Sequence, residues 1–144
     1  MEKTISGFDD YRLRPELAAA LAERGFNTPT PVQEKVLSDE NALLGDLIVQ
    51  AKTGSGKTLA FALPLLNEMD AGESEPRILV LSPTRELALQ TAHEFESMAR
   101  GVRIRIASLV GGMDMETQLR RLREGAGVLV GTPGRVLDHI RRKA

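Results

Sequence analysis

The sequence predicts an α/β fold, a parallel sheet of short strands with helices on both faces. Three observations predict it. An apolar run, Leu47-Ile48-Val49-Gln50, passes through Ala51-Lys52-Thr53-Gly54-Ser55-Gly56-Lys57-Thr58 into a helical run from Leu59 to Asn67. From Asp46 onward, short apolar segments alternate with stretches of helical periodicity, as expected of parallel strands covered by helices. The unusual loops all follow those apolar segments, at the carboxyl ends where ligands of such sheets bind.

Taken in order, the elements follow from local chemistry. Pro15 to Arg24 reads as a helix, with Leu17, Ala20 and Leu21 at helical spacing and Gly25 as its stop. Thr30-Pro31 starts a second short helix, threonine as N-cap and proline at the first helical position, and Gln33 three residues after Thr30 fits a capping box. A strand is expected at 47–50. The helix at 57–68 is apolar nearly all round and should be buried; Pro64 should kink it by removing a bond to Ala60. Gly72 to Pro76 is a polar loop before a strand at 77–81. The helix at 84–99 should bury Ala88, Ala92, Phe95 and Ala99, which recur on one face. A strand at 102–109 precedes a helix at 114–124, expected to bury Met115, Leu119 and Leu122 with Arg120, Arg121 and Arg123 mainly off that face. A strand at 128–130 and a helix at 133–142 started by Thr132-Pro133 complete the pattern. No internal repeat or low-complexity tract interrupts it.

The loop at 51–58 carries the clearest chemistry. Gly54 and Gly56 lack a Cβ, so backbone amides can close around a triphosphate. The positive end of the following helix faces the same anion. Lys57 supplies a point charge for the β- and γ-phosphates, and the Thr58 hydroxyl suits Mg²⁺. A Gly-Lys-Thr closing an eight-residue loop between strand and helix is the P-loop pattern, with Ala51 where the first glycine usually stands. The competing reading is a chance glycine-rich turn with a surface lysine; the strand and helix on either side argue against it.

Composition bounds the rest. The 144 residues are one domain's worth of chain, 42% apolar and 27% charged, as in ordinary soluble proteins. The longest apolar run, Leu59 to Leu66, contains Pro64 and is far short of the roughly 20 residues a membrane span needs. Met1-Glu2-Lys3-Thr4 is not followed by an apolar core segment, so no secretory signal is visible. The chain has no cysteine, which excludes disulfides and cysteine metal sites and fits a cytoplasmic location; with only His93 and His139, a histidine-rich metal site is also out. Net charge is −1, yet the residues from Arg100 on hold 10 basic and 4 acidic side chains. That asymmetry fits a polyanion partner, and equally a solvated arginine-rich helix surface.

Four further motifs accompany the P-loop. Gly25-Phe26-Asn27-Thr28-Pro29-Thr30-Pro31-Val32-Gln33 lies upstream; Pro83-Thr84-Arg85-Glu86-Leu87-Ala88, Gly111-Gly112 and Thr132-Pro133-Gly134-Arg135 follow the three later strands. In this order and spacing, from about Phe8 to the last residue, the set resembles the first half of the helicase core of DEAD-box ATP-dependent RNA helicases. The resemblance implies a RecA-like P-loop NTPase sheet. It divides the chain into a Q-motif region at 1–45 and a partial ATP-binding domain at 46–144. It implies ATP and Mg²⁺ as cofactors. Phe26 to Gln33 would read adenine, Gln33 through an amide that both donates and accepts, with Thr28 in the motif and Phe26 or Phe8 offering an apolar face to the ring. Gln33 is equally explained as the helix cap. Pro83, Thr84, Arg85, Gly111, Gly112, Thr132, Pro133, Gly134 and Arg135 would contact the RNA backbone through helix N-termini, glycine amides and guanidinium groups. Five aromatic residues are too few for a base-stacking binder, so little sequence specificity is expected. Taken alone, Arg85 and Arg135 read as surface salt-bridge partners, and Pro83 and Pro133 as ordinary helix-start prolines.

The family's Asp-Glu-Ala-Asp run, which supplies the carboxylates for Mg²⁺ and water, does not occur in the chain. Asp39-Glu40 follows no apolar strand, and Asp138 falls within a helix. The resemblance therefore implies the N-terminal, incomplete part of a longer helicase whose second domain lies elsewhere in the parent chain. This part alone should bind ATP and RNA without hydrolysing ATP effectively. Its sheet should expose unpaired edges, giving marginal stability or self-association. The alternative is a non-catalytic nucleotide-binding or interaction module that keeps the loop as a scaffold; a small kinase fits poorly, since no lid or second substrate site is visible.

Overall fold

The computed structural model describes residues 7–8, 11–39 and 41–144. The stretch Met1 to Thr4 and Glu40 lie outside the described residues. The chain forms two compact units, one ending at Glu68 and one beginning at Met69.

The first unit is helical. α1 spans Pro15–Glu23 and buries Leu17 and Leu21. It ends in a Schellman turn: Gly25 takes φ +76°, its N–H donates to Ala22, and the Phe26 N–H donates to Leu21. α2 spans Pro31–Leu37 with the complete capping box at Thr30 and Gln33. α3 spans Lys57–Asn67, runs through Pro64, and buries Leu59, Ala60, Ala62, Leu63 and Leu66. These pack with Phe8, Leu17, Leu21 and Val36 as the unit's core. Asn67 ties the end of α3 to the segment before α1: its Oδ1 accepts from the Arg14 N–H at 2.8 Å and its Nδ2 donates to the Arg12 carbonyl at 2.9 Å.

One expected element does not form. Residues 47–50 are not a strand, and Leu47, Ile48 and Val49 are exposed, Ile48 almost completely. A strand exists through its ladder of hydrogen bonds, and this segment has no ladder partner among the described residues. Its apolar sequence supplies strand propensity without the pairing that would make it one.

The second unit holds a three-stranded parallel sheet. β1 is Ile78–Leu81, β2 is Ile106–Leu109 and β3 is Val128–Gly131, in the order β1-β3-β2. β2 is shorter than the expected strand at 102–109. α4 (Arg85–Ala99) packs on β2 and β3, and α5 (Met115–Glu124) packs on β2. α6 spans Pro133–Arg141. Ala88, Ala92, Phe95 and Ala99 of α4 are buried as their spacing predicted, with Met98 beside them. Each large buried side chain of this kind contributes about 1.5–3 kcal/mol. α5 departs from expectation: Met115, Leu119 and Leu122 are only half-buried, and the fully buried residue is Gln118. Thr132 precedes α6 but makes no side-chain cap bond.

Central β3 leaves no room at its end. A Cβ on Gly131 would stand 2.5 Å from the Leu109 carbonyl oxygen and 2.7 Å from a Val136 methyl, whereas one on Gly134 would meet nothing within 4 Å. Gly131→Ala is therefore expected to destabilise the chain by about 1–3 kcal/mol and Gly134→Ala to change it little. Equal denaturation midpoints for the two variants would contradict this packing.

Candidate functional site

In the first unit, the glycine loop is shaped by its two glycines. Gly54 and Gly56 take φ +81° and +85°, a region that side chains with a Cβ adopt rarely. The Ser55 N–H donates to the Lys52 carbonyl at 3.2 Å and the Ser55 hydroxyl caps the same oxygen. The Ala60 N–H donates to the Gly56 carbonyl at 3.2 Å, which starts α3. Between these bonds, the amides of Gly56, Lys57 and Thr58 have no acceptor among the described residues. They are the orphan donors of a helix N-terminus. Lys52, Thr53, Gly54 and Lys57 are exposed; Ala51, Ser55 and Thr58 are half-buried. Unpaired amides, absent Cβ atoms, a helix dipole and a free lysine together fit a polyphosphate, and Thr58 at the second helical position fits a phosphate-bound divalent cation.

Gln33 connects this loop to α2. It is 4% exposed, and its Oε1 accepts from the Thr30 N–H at 2.9 Å while its Nε2 donates to the Gly56 carbonyl at 3.2 Å. One lone pair and one N–H of the amide remain beyond these bonds. A Cβ on Gly56 would collide with Gln33 Nε2, so glycine is required there by conformation and by its neighbour. Phe26 is exposed with the Arg24 guanidinium 4.8 Å from its ring centre, and Thr28 is exposed; Phe8 lies in the core and offers no free ring face.

In the second unit, register aligns three loops. Leu81 pairs with Gly131, and Gly131 with Leu109, so the parallel strands end in one row. Residues 82–85, 110–113 and 132–135 therefore leave the same edge. Thr84 is the N-cap of α4, its hydroxyl accepting from the Leu87 N–H at 3.2 Å; Pro83 beside it is exposed. Gly112 takes φ +79°, and Arg85 lies against it: a Cβ there would stand 2.7 Å from Arg85 Nη1. Gly111 and Thr132 are half-buried, while Pro133 and Gly134 are exposed at the first turn of α6. Arg135 is not a free surface arginine. Its Nη1 donates to the Met113 carbonyl and to Gln118 Oε1, both at 3.3 Å, and its Nε lies 4.0 Å from Asp138.

Behind these loops lies a buried polar group that the sequence reading did not single out. Gln118 Nε2 donates to the Val110 carbonyl at 2.8 Å, so its Oε1 faces α6, and His139 Nε2 lies 2.8 Å from that oxygen. An oxygen only accepts, so His139 carries its proton on Nε2. Its Nδ1 is buried without a hydrogen-bond partner among the described residues. The available signal was Gln118 itself, three residues after Met115 and four before Leu122, a polar residue in an apolar stripe.

A family model for DEAD/DEAH box helicases matches residues 30–144. The chain is 48% identical over 139 residues to ATP-dependent RNA helicase DeaD of Haemophilus influenzae, covering 94% of this chain and 22% of that relative. It is 42% identical over 140 residues to DEAD-box ATP-dependent RNA helicase CshA of Bacillus cereus, covering 96% and 26%. Among solved structures, S. cerevisiae Dbp5 bound to RNA and ADP BeF3 matches with a TM-score of 0.82 at 34% identity, over 96% of this chain and 35% of that one. A DEAD box protein from the hyperthermophile Methanococcus jannaschii matches with a TM-score of 0.79 at 35% identity, over 95% and 37%. The fold is thus RecA-like, and the chain spans about a quarter of the length of its curated relatives.

Burial, then the positive charges of Arg135 and Arg142, hold the His139 pKa below its ordinary 6.5, with Asp138 opposing. The folded state keeps the ring neutral where the unfolded chain takes up a proton. Its contribution to stability is therefore present above pH 6.5 and is lost as pH falls through the depressed folded value. Denaturation measured between about pH 8 and pH 5 should show a shallower loss of stability for His139→Gln than for the wild type; parallel curves would contradict the buried, neutral ring.

Proposed function

This chain belongs to the DEAD/DEAH box helicase family, and on that footing we propose that it is the ATP- and RNA-binding N-terminal part of a longer, cytoplasmic ATP-dependent RNA helicase. The observation that carries the proposal is the glycine loop with two positive φ angles and unpaired amides opening α3 at Lys57-Thr58. In this reading Ala51, Lys52, Thr53, Gly54, Ser55, Gly56, Lys57 and Thr58 hold the nucleotide's phosphates, and Thr58 holds Mg²⁺. Bound Mg-ATP supplies the phosphoanhydride whose hydrolysis powers duplex unwinding in the complete enzyme. The chain's own residues orient that group: amides and Lys57 neutralise its charge, and Gln33 fixes the loop through Gly56. The remaining donor and acceptor of the Gln33 amide suit N7 and N6 of adenine, a pair that guanine does not present. Phe26, rather than Phe8, has the accessible ring face, and Thr28 lies on the same segment.

The aligned loops of the second unit support RNA-backbone contact through Pro83, Thr84, Arg85, Gly111, Gly112, Thr132, Pro133, Gly134 and Arg135. Glycine amides, helix N-termini and guanidinium groups contact phosphate without reading bases. The family's aspartate-rich motif and a second helicase domain would complete the enzyme in the parent chain. The outer strands β1 and β2 of this sheet, with Leu79 and Leu81 of β1 exposed, suit self-association.

Titration with Mg-ATP and Mg-GTP should show clear preference for ATP, and equal affinities would overturn the adenine role of Gln33. Lys57→Ala should weaken ATP binding about tenfold or more, the loss expected for a charged phosphate contact. Unchanged ATP affinity in that variant would refute the cradle.

A further inference from the structure

We infer that Gln118 and His139 are positioning residues that fix the guanidinium of Arg135 for contact with an RNA phosphate. The inference rests on the backbone-contact reading of residues 132–135 given above. Gln118 sits 2% exposed in a helical stripe otherwise made of Met115, Leu119 and Leu122, where an apolar side chain would suffice for packing. Its amide is used at both ends. Nε2 donates to the Val110 carbonyl in the loop after β2, and Oε1 accepts from Arg135 and His139 at the start and the end of α6. An amide can donate to a carbonyl from one end while its oxygen accepts from two donors at the other. It thereby ties the Gly112 loop to the first turn of α6, two of the three segments that leave the same sheet edge.

The consequence for Arg135 is directional. Both Nη1 hydrogens are committed inward, to Met113 and Gln118, and Nε turns toward Asp138. The Nη2 edge has no bond to the described residues. Only 16% of this side chain is exposed, so the guanidinium is held as a rigid plane with one edge left for an anion. His139 lies one helical turn after Arg135, so Nε2–H and Nη1–H converge on a single oxygen. The second donor locks the amide rotamer that receives the first. An arginine held this way loses less freedom on meeting a phosphate than a solvated one.

The test has an RNA-free arm and an RNA arm, both on the whole chain. Gln118→Met nearly conserves volume and removes the bridge. Nitrogen-15 NMR of the arginine side chains should then move the Arg135 Nε–H signal toward those of exposed arginines. His139→Phe should do the same, whereas His139→Gln, which keeps a donor near the Nε2 position, should restore it. An Arg135 signal unchanged in both Gln118→Met and His139→Phe overturns the positioning role. In the second arm, binding of a fluorescent oligouridine is measured by anisotropy. Gln118→Met should weaken it roughly fivefold, leave Mg-ATP affinity unchanged, and have no further effect when Arg135→Ala is already present. A Gln118 effect that persists in full beside Arg135→Ala shows action by another route and overturns the inference. If Arg135→Ala alone leaves RNA affinity unchanged, the backbone-contact reading of Arg135 falls and the inference with it, and the NMR arm shows separately whether the bridge exists.

Discussion

The side-chain amide of Gln33 joins two stretches of backbone that lie 23 residues apart in sequence. Its oxygen completes the N-terminus of α2, and its N–H holds the carbonyl of Gly56, the residue that caps α3. Gly56 O already accepts the first helical bond from Ala60, so both of its lone pairs are in use. A buried amide that lost either partner would cost about 1–3 kcal/mol, so the two sites stabilise each other. The glycine loop is therefore pinned from outside as well as shaped from within. Gly56 illustrates both constraints: the left-handed backbone excludes most side chains, and Gln33 occupies the space a Cβ would need.

The second unit works by a different rule. Parallel pairing brings Leu81, Gly131 and Leu109 into one row, and everything that follows each strand emerges together. Helix N-termini, a left-handed glycine and two arginines reach one edge because the register requires it. The apolar parts of the sheet and of α4 carry the stability, which leaves the edge free to carry polar chemistry. Gln118 is the exception that links the layers, a buried polar group that bonds Val110 and Arg135 at that edge and His139 farther along α6.

Much of this was legible in the chain. Thr30, Pro31 and Gln33 announced a capped helix because caps are local chemistry, settled within four residues. The stripe of Ala88, Ala92, Phe95 and Ala99 announced the buried face of α4 because small and aromatic residues at that spacing leave few alternatives. The glycine positions of the loop carried their own backbone requirement. The failures are equally physical. Residues 47–50 have the composition of a strand, but strand formation is a property of a pair, and the segment's own residues say nothing of a partner. Met115, Leu119 and Leu122 defined an apolar stripe that the fold only half covers. The buried member is Gln118, because Val110, Arg135 and His139 satisfy its amide, and those partners lie as far as 21 residues away. The same holds for His139: one histidine has no meaning until its neighbours are known.

The proposed function needs residues 51–58 to act as an anion nest for a nucleotide tail. Backbone amide NMR during titration with Mg-ATP, Mg-ADP and AMP tests this at the atoms concerned. Such a nest should give large shifts of the Gly54, Gly56, Lys57 and Thr58 amides that grow with the number of phosphates, with the Gln33 side-chain amide responding to all three nucleotides. Shifts of equal size for AMP and ATP at those four amides, or none at all while ATP binds elsewhere, would contradict it.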